Sequence, residues 1–264
     1  MKKILSLVLV ALLLLSLSSC NGEKTIKVGA SPSPHAEILN SDVVKKYIKE
    51  KGYKLKVKVY QDYVTPNKAL ADGGLDANYF QHADYLNGEI AKKGYDLTAV
   101  CEVHNEPLNL YGKQAKSDWT NTKISIINDA SNVGRAFELL KANGLIDSYN
   151  VDNFDAGNPV YTSSIGVLIE CIEAGLLAKK VDEGGYAVIP GNYALTAWQS
   201  SKATEYKIFG EAIDVAYPNI IAVRTEDVDS EKIKVLVEAL SQPEVKAFIE
   251  EKYGPTVNYV FKTK

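Results

Sequence analysis

The chain has 264 residues, 30 basic and 33 acidic side chains and a formal net charge of −3. Lys2 and Lys3 fall in an apolar leader, so the 244 residues after Cys20 carry 28 basic against 33 acidic side chains, a net −5; a mildly acidic body gives no electrostatic basis for nucleic-acid binding. That length suits one large or two medium domains, and Cys101 and Cys171 alone are too few for a disulfide framework, fitting instead small buried apolar side chains.

The leader itself is an export signal. Lys2 and Lys3 precede an apolar run from Ile4 to Leu15, too short to span a bilayer stably, followed by Leu17-Ser18-Ser19-Cys20. Leu three positions before a cysteine, with two serines between, resembles the bacterial lipobox. Residues 1–19 are then a signal peptide, Cys20 is the lipidated first residue, and 20–23 form a tether. Two acyl chains on one thioether-linked glycerol anchor durably where one chain does not.

Behind the tether, strand-like and helix-like patterns alternate, which argues for open α/β sheets. Thr25–Ala30 is a predicted strand, Ser33–Glu37 a helix start, and Val43, Val44, Tyr47 and Ile48 form a helical stripe. Leu55, Val57 and Val59 alternate as a strand, Pro66–Leu70 begins a helix, Leu75–Tyr79 is a short strand, and His82–Lys93 is a helix ended by Gly94. Leu97–Val103 completes a first unit by about Tyr111. The polar stretch Lys113–Thr122 is the expected boundary, before a strand at Lys123–Ile127 and a helix at Asn132–Ala142. Ile165–Ala178 is expected to be helical, Tyr186–Ile189 and Ile220–Val223 strands, and Glu231–Leu240 and Glu244–Tyr253 the closing helices. This layout fits two α/β lobes joined by a hinge with a ligand cleft between them: 24–111 plus 217–264 as the first lobe, 112–216 as the second. Two independent domains in series are the alternative.

Arginine usage points to a site. Only Arg135 and Arg224 occur in the body, with lysine serving everywhere else. The planar guanidinium fork can hold a carboxylate through two parallel hydrogen bonds. Arg135 follows Ile127–Gly134, a strand-to-helix turn whose free N–H groups favour an anion; the bland alternative is a local pair with Glu138. Arg224, beside Glu226 and Asp227, reads as structural. A second cluster lies at Asp76–Tyr85, where a strand end enters a helix on the side where α/β sheets bind ligands. There Tyr63, Phe80, His82 and Tyr85 could line an aromatic slot for an apolar or thioether side chain, or simply pack the core. Asn192 and Asn219, each at an element end, can donate and accept, though asparagine is also ordinary turn chemistry there.

The segments Val28–Leu39, Asp62–Asn67, Ala69–Gly73, Asp76–His82, Asn128–Asn132, Gly191–Leu195 and Asn219–Arg224 resemble the NlpA lipoproteins, the methionine-binding lipoproteins of methionine ABC importers, in the expected order along the chain. The resemblance implies a periplasmic-binding-protein fold with an amino acid held between the lobes. It implies that Arg135, helped by Asn192, holds the ligand carboxylate, that Asn219 orients the α-amino group, and that Tyr63, Phe80, His82 and Tyr85 line the side-chain pocket; Asn132 is a further candidate. The partners it implies are L-methionine or a similar amino acid, a permease and an ATPase, with the protein a monomer tethered to the extracytoplasmic face of the membrane, needing no cofactor or metal. Asn158–Gly166, His104-Asn105-Glu106-Pro107-Leu108 and Pro190 depart from the family pattern and bear on ligand identity. An alternative from another class is a lipid-anchored zinc hydrolase or metal-binding lipoprotein using His35, His82 and His104, motivated by His35-x-Glu37 and His104-x-Glu106. No His-Glu-x-x-His pattern or Gly-x-Ser-x-Gly elbow supports it.

Overall fold

The two ends of the chain build one sheet and the middle builds another. A computed structural model describes residues 24–212 and 217–264; the signal peptide, Cys20 and the expected hinge residue Ala216 lie outside the described residues. The first sheet has six strands in the order β13-β4-β12-β3-β1-β2: β1 Lys24–Ala30, β2 Tyr53–Val59, β3 Ala77–His82, β4 Leu97–Asn105, β12 Asn219–Arg224 and β13 Asn258–Thr263. β1 is parallel to β2 and β3, while β12 runs antiparallel to both β3 and β4. The second sheet, β11-β5-β10-β6-β9, comprises β5 Asn109–Tyr111, β6 Lys123–Ile127, β9 Leu168–Ile172, β10 Tyr186–Ile189 and β11 Lys207–Gly210, with β9, β6 and β10 parallel. A small hairpin joins β7 Ser148–Asn150 to β8 Val160–Thr162.

Helices cover both faces of each sheet, as parallel strands require. In the first lobe, α1 Asp42–Glu50 is capped by Ser41, whose Oγ accepts from the Val44 N–H at 3.4 Å, and buries Val44 and Ile48. α7 Glu231–Leu240 and α8 Pro243–Tyr253 add Leu236, Leu240 and Ile249 to the same core, while α2 Thr65–Ala71 and α3 Ala83–Lys93 place Leu70 and Leu86 against the other face. In the second lobe α4 Ala130–Ala142 packs Val133, Phe137 and Leu140 on one side of the sheet, and α5 Ala174–Asp182 and α6 Gly191–Tyr206 cover the other. Leu195 of α6 is the exception. It is buried in the first lobe's core, so one helix of the second lobe is wedged into the first.

Three expectations are corrected. β5 pairs with β10 and β11 in the second sheet, so the chain crosses over at Glu106–Leu108, upstream of Tyr111, and the polar stretch Lys113–Thr122 is a loop inside the second lobe. Within the run expected to be helical, Ile165–Ala178, Leu168–Ile172 is instead the half-exposed edge strand β9 and the helix begins only at Ala174: a short apolar run carries no periodicity that separates strand from helix. The strand expected at Leu75–Tyr79 lies at Ala77–His82, and α3 starts one residue beyond His82.

A buried cleft between Arg135 and Glu106

Register places the first group of polar side chains. Asn219, the first residue of β12, pairs with His82 on β3 and with His104 on β4, so these three stand in one row at the same end of the first sheet. His35 reaches the row from the helical turn that follows β1. Its Nε2–H donates to Asn219 Oδ1 at 2.9 Å while its Nδ1 accepts from Ser31 Oγ at 2.9 Å. His104 has the same tautomer: Tyr79 OH donates to Nδ1, and Nε2–H donates to Glu106 Oε1 at 2.6 Å.

Glu106 is the group this network holds. It lies at the first crossover, 8% exposed, with His35 Nε2 also 3.4 Å from Oε1 and the Asn192 N–H, at the start of α6, donating to the carboxylate. Burial lowers His35 to about 4 and His104 to about 3, so both are neutral hydrogen-bond donors here rather than ion-pair partners. Burial also raises the Glu106 carboxyl to about 7, against the opposing pull of His35 and Arg135. A glycine is required opposite: a Cβ at Gly191 would stand 2.8 Å from Glu106 Cβ and 2.9 Å from Oε2.

Arg135 faces this wall from α4. Asp129 caps that helix, accepting from the Asn132 N–H at 2.9 Å. The guanidinium is not paired with Glu138, which instead accepts from Tyr149 OH at 2.8 Å. Nε donates to Glu211 Oε1 at 2.9 Å and Nη2 to Oε2 at 2.5 Å, Nη1 donates to Asn132 Oδ1 at 3.0 Å, and the Tyr217 ring lies 4.3 Å from Cζ. Asn132 is a brace, because Oδ1 also accepts from His82 Nε2 at 3.2 Å and its amide nitrogen donates to Asp129. His82 is lowered to about 4 by burial and by Arg135, and its Nδ1 caps α3 by accepting from the Tyr85 N–H.

The aromatic wall is Tyr63 with Phe80 at 5.7 Å, Tyr85 at 5.6 Å and Tyr193 at 5.1 Å between ring centroids. Tyr63 OH donates across the cleft to Asn192 Oδ1 at 2.7 Å, which turns the Asn192 NH2 group to other partners. Tyr63, Phe80, His82, Tyr85, Asn132, Arg135, Asn192 and Asn219 therefore surround one cavity, joined by Gln81, Glu106, Pro190 and Gly191. It measures about 30 Å³, room for roughly two waters.

Glu106, Glu211, Tyr193 and Tyr217 went unremarked as ligand-site residues. Glu106 was visible as part of a His-x-Glu pattern and of a segment that departs from the family pattern, and Glu211 lies 76 residues from Arg135 with no local signal. The expected metal-ligating trio is not assembled. His35 and His104 gather with Glu106, while His82 is absent from that group. All four nitrogens of His35 and His104 already serve hydrogen bonds, so the cluster acts as a scaffold for Glu106. Arg224 is structural as expected, donating to the Leu70 and Leu75 carbonyls at 2.8 and 2.7 Å and pairing with Asp227. Cys101 and Cys171 are free thiols, Cys101 fully buried.

A family model described as NlpA lipoprotein matches residues 26–261. The chain is similar to the methionine-binding lipoprotein MetQ of Bacillus subtilis (strain 168), 39% identical over 246 residues that cover 90% of this chain and 88% of that protein. It is similar to the D-methionine-binding lipoprotein MetQ of Salmonella typhi, 30% identical over 240 residues, with 88% of each chain covered. Among solved structures it resembles a nutrient-binding protein from Burkholderia cenocepacia bound to methionine, at TM-score 0.80 and 34% identity, covering 89% of this chain and 100% of that one.

Proposed function

The chain belongs to the NlpA lipoprotein family, and from that premise we propose that it is a substrate-binding protein, not an enzyme, which captures L-methionine or a closely related amino acid and delivers it to an ABC importer. The observation that carries the reading is the opposition, within one buried cavity, of the Arg135 guanidinium and the Glu106 carboxylate. An amino acid is a small molecule with one group for each. Its carboxylate would meet the outer N–H groups of Arg135 and the NH2 of Asn192, whose oxygen is already taken by Tyr63. Its ammonium would meet Glu106 and the second lone pair of Asn219 Oδ1, the first being occupied by His35. A thioether would lie along Tyr63, Phe80 and Tyr85, where sulfur–ring contacts add about 0.3–1.5 kcal/mol each. The methionine held by the Burkholderia relative supports this assignment.

Capture then works by closure. The lobes separate about the crossover at Glu106–Leu108, the ligand docks, and contacts from both walls favour the closed state. In this reading 24–105 with 219–264 form one lobe and 109–210 the other, a lipid on Cys20 keeps the monomer on the extracytoplasmic face of the membrane, and a permease with its ATPase receives the cargo. The test is calorimetric titration with L- and D-amino acids and methionine-containing dipeptides, after denaturing and refolding to strip any retained ligand. Saturable binding of L-methionine at one per chain is expected; failure of every amino acid and dipeptide to bind would overturn the reading.

A further inference from the structure

Charge in the cleft is unevenly matched. Glu106 and Arg135 are the two charged groups that line the cavity, with His82 neutral. Arg135 already has an anionic partner along one edge. Glu211 takes its Nε–Nη2 edge through two bonds of 2.9 and 2.5 Å, and both side chains are under 10% exposed, so solvent does little to screen the pair. Nor is Glu211 a loose competitor. Its Oε2 also accepts from the Leu108 N–H at 2.7 Å, and its own N–H donates to the Leu108 carbonyl at 2.9 Å, so it ties the return segment to the first crossover. Tyr217, on the same return segment, covers the guanidinium face at 4.3 Å. Glu106, by contrast, receives hydrogen bonds from neutral imidazoles and a backbone amide, with no cation at hydrogen-bonding distance from its carboxylate among the described residues.

We infer that Glu211 sets the charge selectivity of the cleft: by pairing with Arg135 from behind it leaves Glu106 as the less compensated of the two charges, so that a ligand's ammonium dominates recognition while its carboxylate contributes mainly as a hydrogen-bond acceptor. This rests on the amino-acid reading above, and extends it to which half of the amino acid is indispensable. Glu211 touches no ligand in this scheme; it acts through Arg135.

The test compares three ligands by titration calorimetry: L-methionine, its decarboxylated analogue methylthiopropylamine, and its desamino analogue methylthiobutanoate. In the parent protein the amine is expected to bind at least roughly tenfold more tightly than the acid, each weaker than L-methionine. In Glu211→Gln, which keeps the shape and an acceptor but removes the charge, the amine-to-acid preference is expected to move at least roughly tenfold toward the acid, and Glu211→Asp is expected to retain the parent's preference. A merely structural role for Glu211 would weaken all three ligands alike. The inference is overturned if the parent prefers the acid, or if Glu211→Gln leaves the preference unchanged. It is equally overturned if Glu211→Asp shifts the preference as far as Gln does. Should Glu211→Gln fail to fold, the parent's preference decides. A parent that does not bind L-methionine would overturn the amino-acid reading itself.

Discussion

Replacing Glu106 by Gln is expected to make the empty protein more stable and a poorer receptor. The carboxyl is held at about 7 against an ordinary 4.5, and at about 1.36 kcal/mol per tenfold change in acidity this corresponds to about 3 kcal/mol. Its sign follows from which form the fold prefers. A raised folded value means the fold favours the protonated carboxyl, so the stability it contributes is present below pH 4.5 and is lost as pH rises through about 7. Gln does not ionise and its oxygen can still accept from His35 and His104. At pH 8 the ligand-free variant should therefore exceed the parent by on the order of 3 kcal/mol, or about 6–12 °C in Tm for a chain this size, while at pH 5 the two should agree within about 1 kcal/mol. Affinity should move the other way: losing a charge-assisted bond to the ammonium costs about 1.5–3 kcal/mol, roughly 10- to 150-fold in Kd. Chemical denaturation of refolded, ligand-free protein at both pH values, paired with calorimetry on L-methionine, measures both. A variant less stable than the parent at pH 8, or one that binds L-methionine as tightly, would refute the account of Glu106.

Three further outcomes follow from the same geometry. Gly191→Ala brings a Cβ to 2.8 Å from Glu106, so it should displace the carboxylate and weaken L-methionine binding by about 1–3 kcal/mol, as overpacking does; unchanged calorimetric affinity would show that Glu106 has room to move. Leu195→Ala removes the side chain by which α6 is wedged into the first lobe's core, weakening closure by about 1.5–3 kcal/mol and apparent affinity by the corresponding factor without touching the ligand; this is checked by titration alongside a melt showing that both lobes remain folded. His35, His82 and His104 are buried neutral, with folded values of about 4, 4 and 3, so the stability they contribute is present above pH 6.5 and is lost as pH falls through 4; three histidines outweigh the opposite slope of Glu106, and urea midpoints of ligand-free protein should drop steadily from pH 6.5 to 4. A flat or rising midpoint on acidification would contradict their burial in the neutral form.

Much of the cleft was legible because its residues sit where sequence speaks locally. Arg135 stands out in a lysine-rich chain beside a helix start, and Tyr63, Phe80, His82 and Tyr85 cluster at strand-to-helix turns, where an α/β sheet places its ligand. Asn192 and Asn219 mark element ends. What escaped was whatever depends on contacts distant in sequence. Glu211 carries no motif and acquires meaning only when the return segment brings it against Arg135 and Leu108. Glu106 was hidden by its neighbours, since His-x-Glu suggests a metal ligand until Tyr79 and Ser31 are seen to occupy the far nitrogens of the two imidazoles. The misplaced boundary has a similar origin: three-residue β5 is too short for a pattern, and its allegiance is decided by pairing with β10. Asn132 was visible at the foot of its helix, but that its side chain braces His82 and Arg135 depends on contacts distant in sequence.

The polar arrangement also bears on why an empty cleft should yield to an amino acid. A desolvated carboxylate with no cation at hydrogen-bonding distance is costly, and Glu106 is held in that condition in a cavity of about 30 Å³. In the proposed cycle, opening would rehydrate Glu106 and relieve it, and an ammonium would relieve it without opening. The same residue would then penalise closure on nothing and favour closure on cargo, which is the differential free energy that a ligand-driven closure needs. Arg135 would serve this purpose less well, since Glu211 already pairs with it without cargo. Leu195, buried in the first lobe's core, would contribute to closure in either case, so in this reading the apolar wedge sets how readily the lobes meet while Glu106 sets what they meet around.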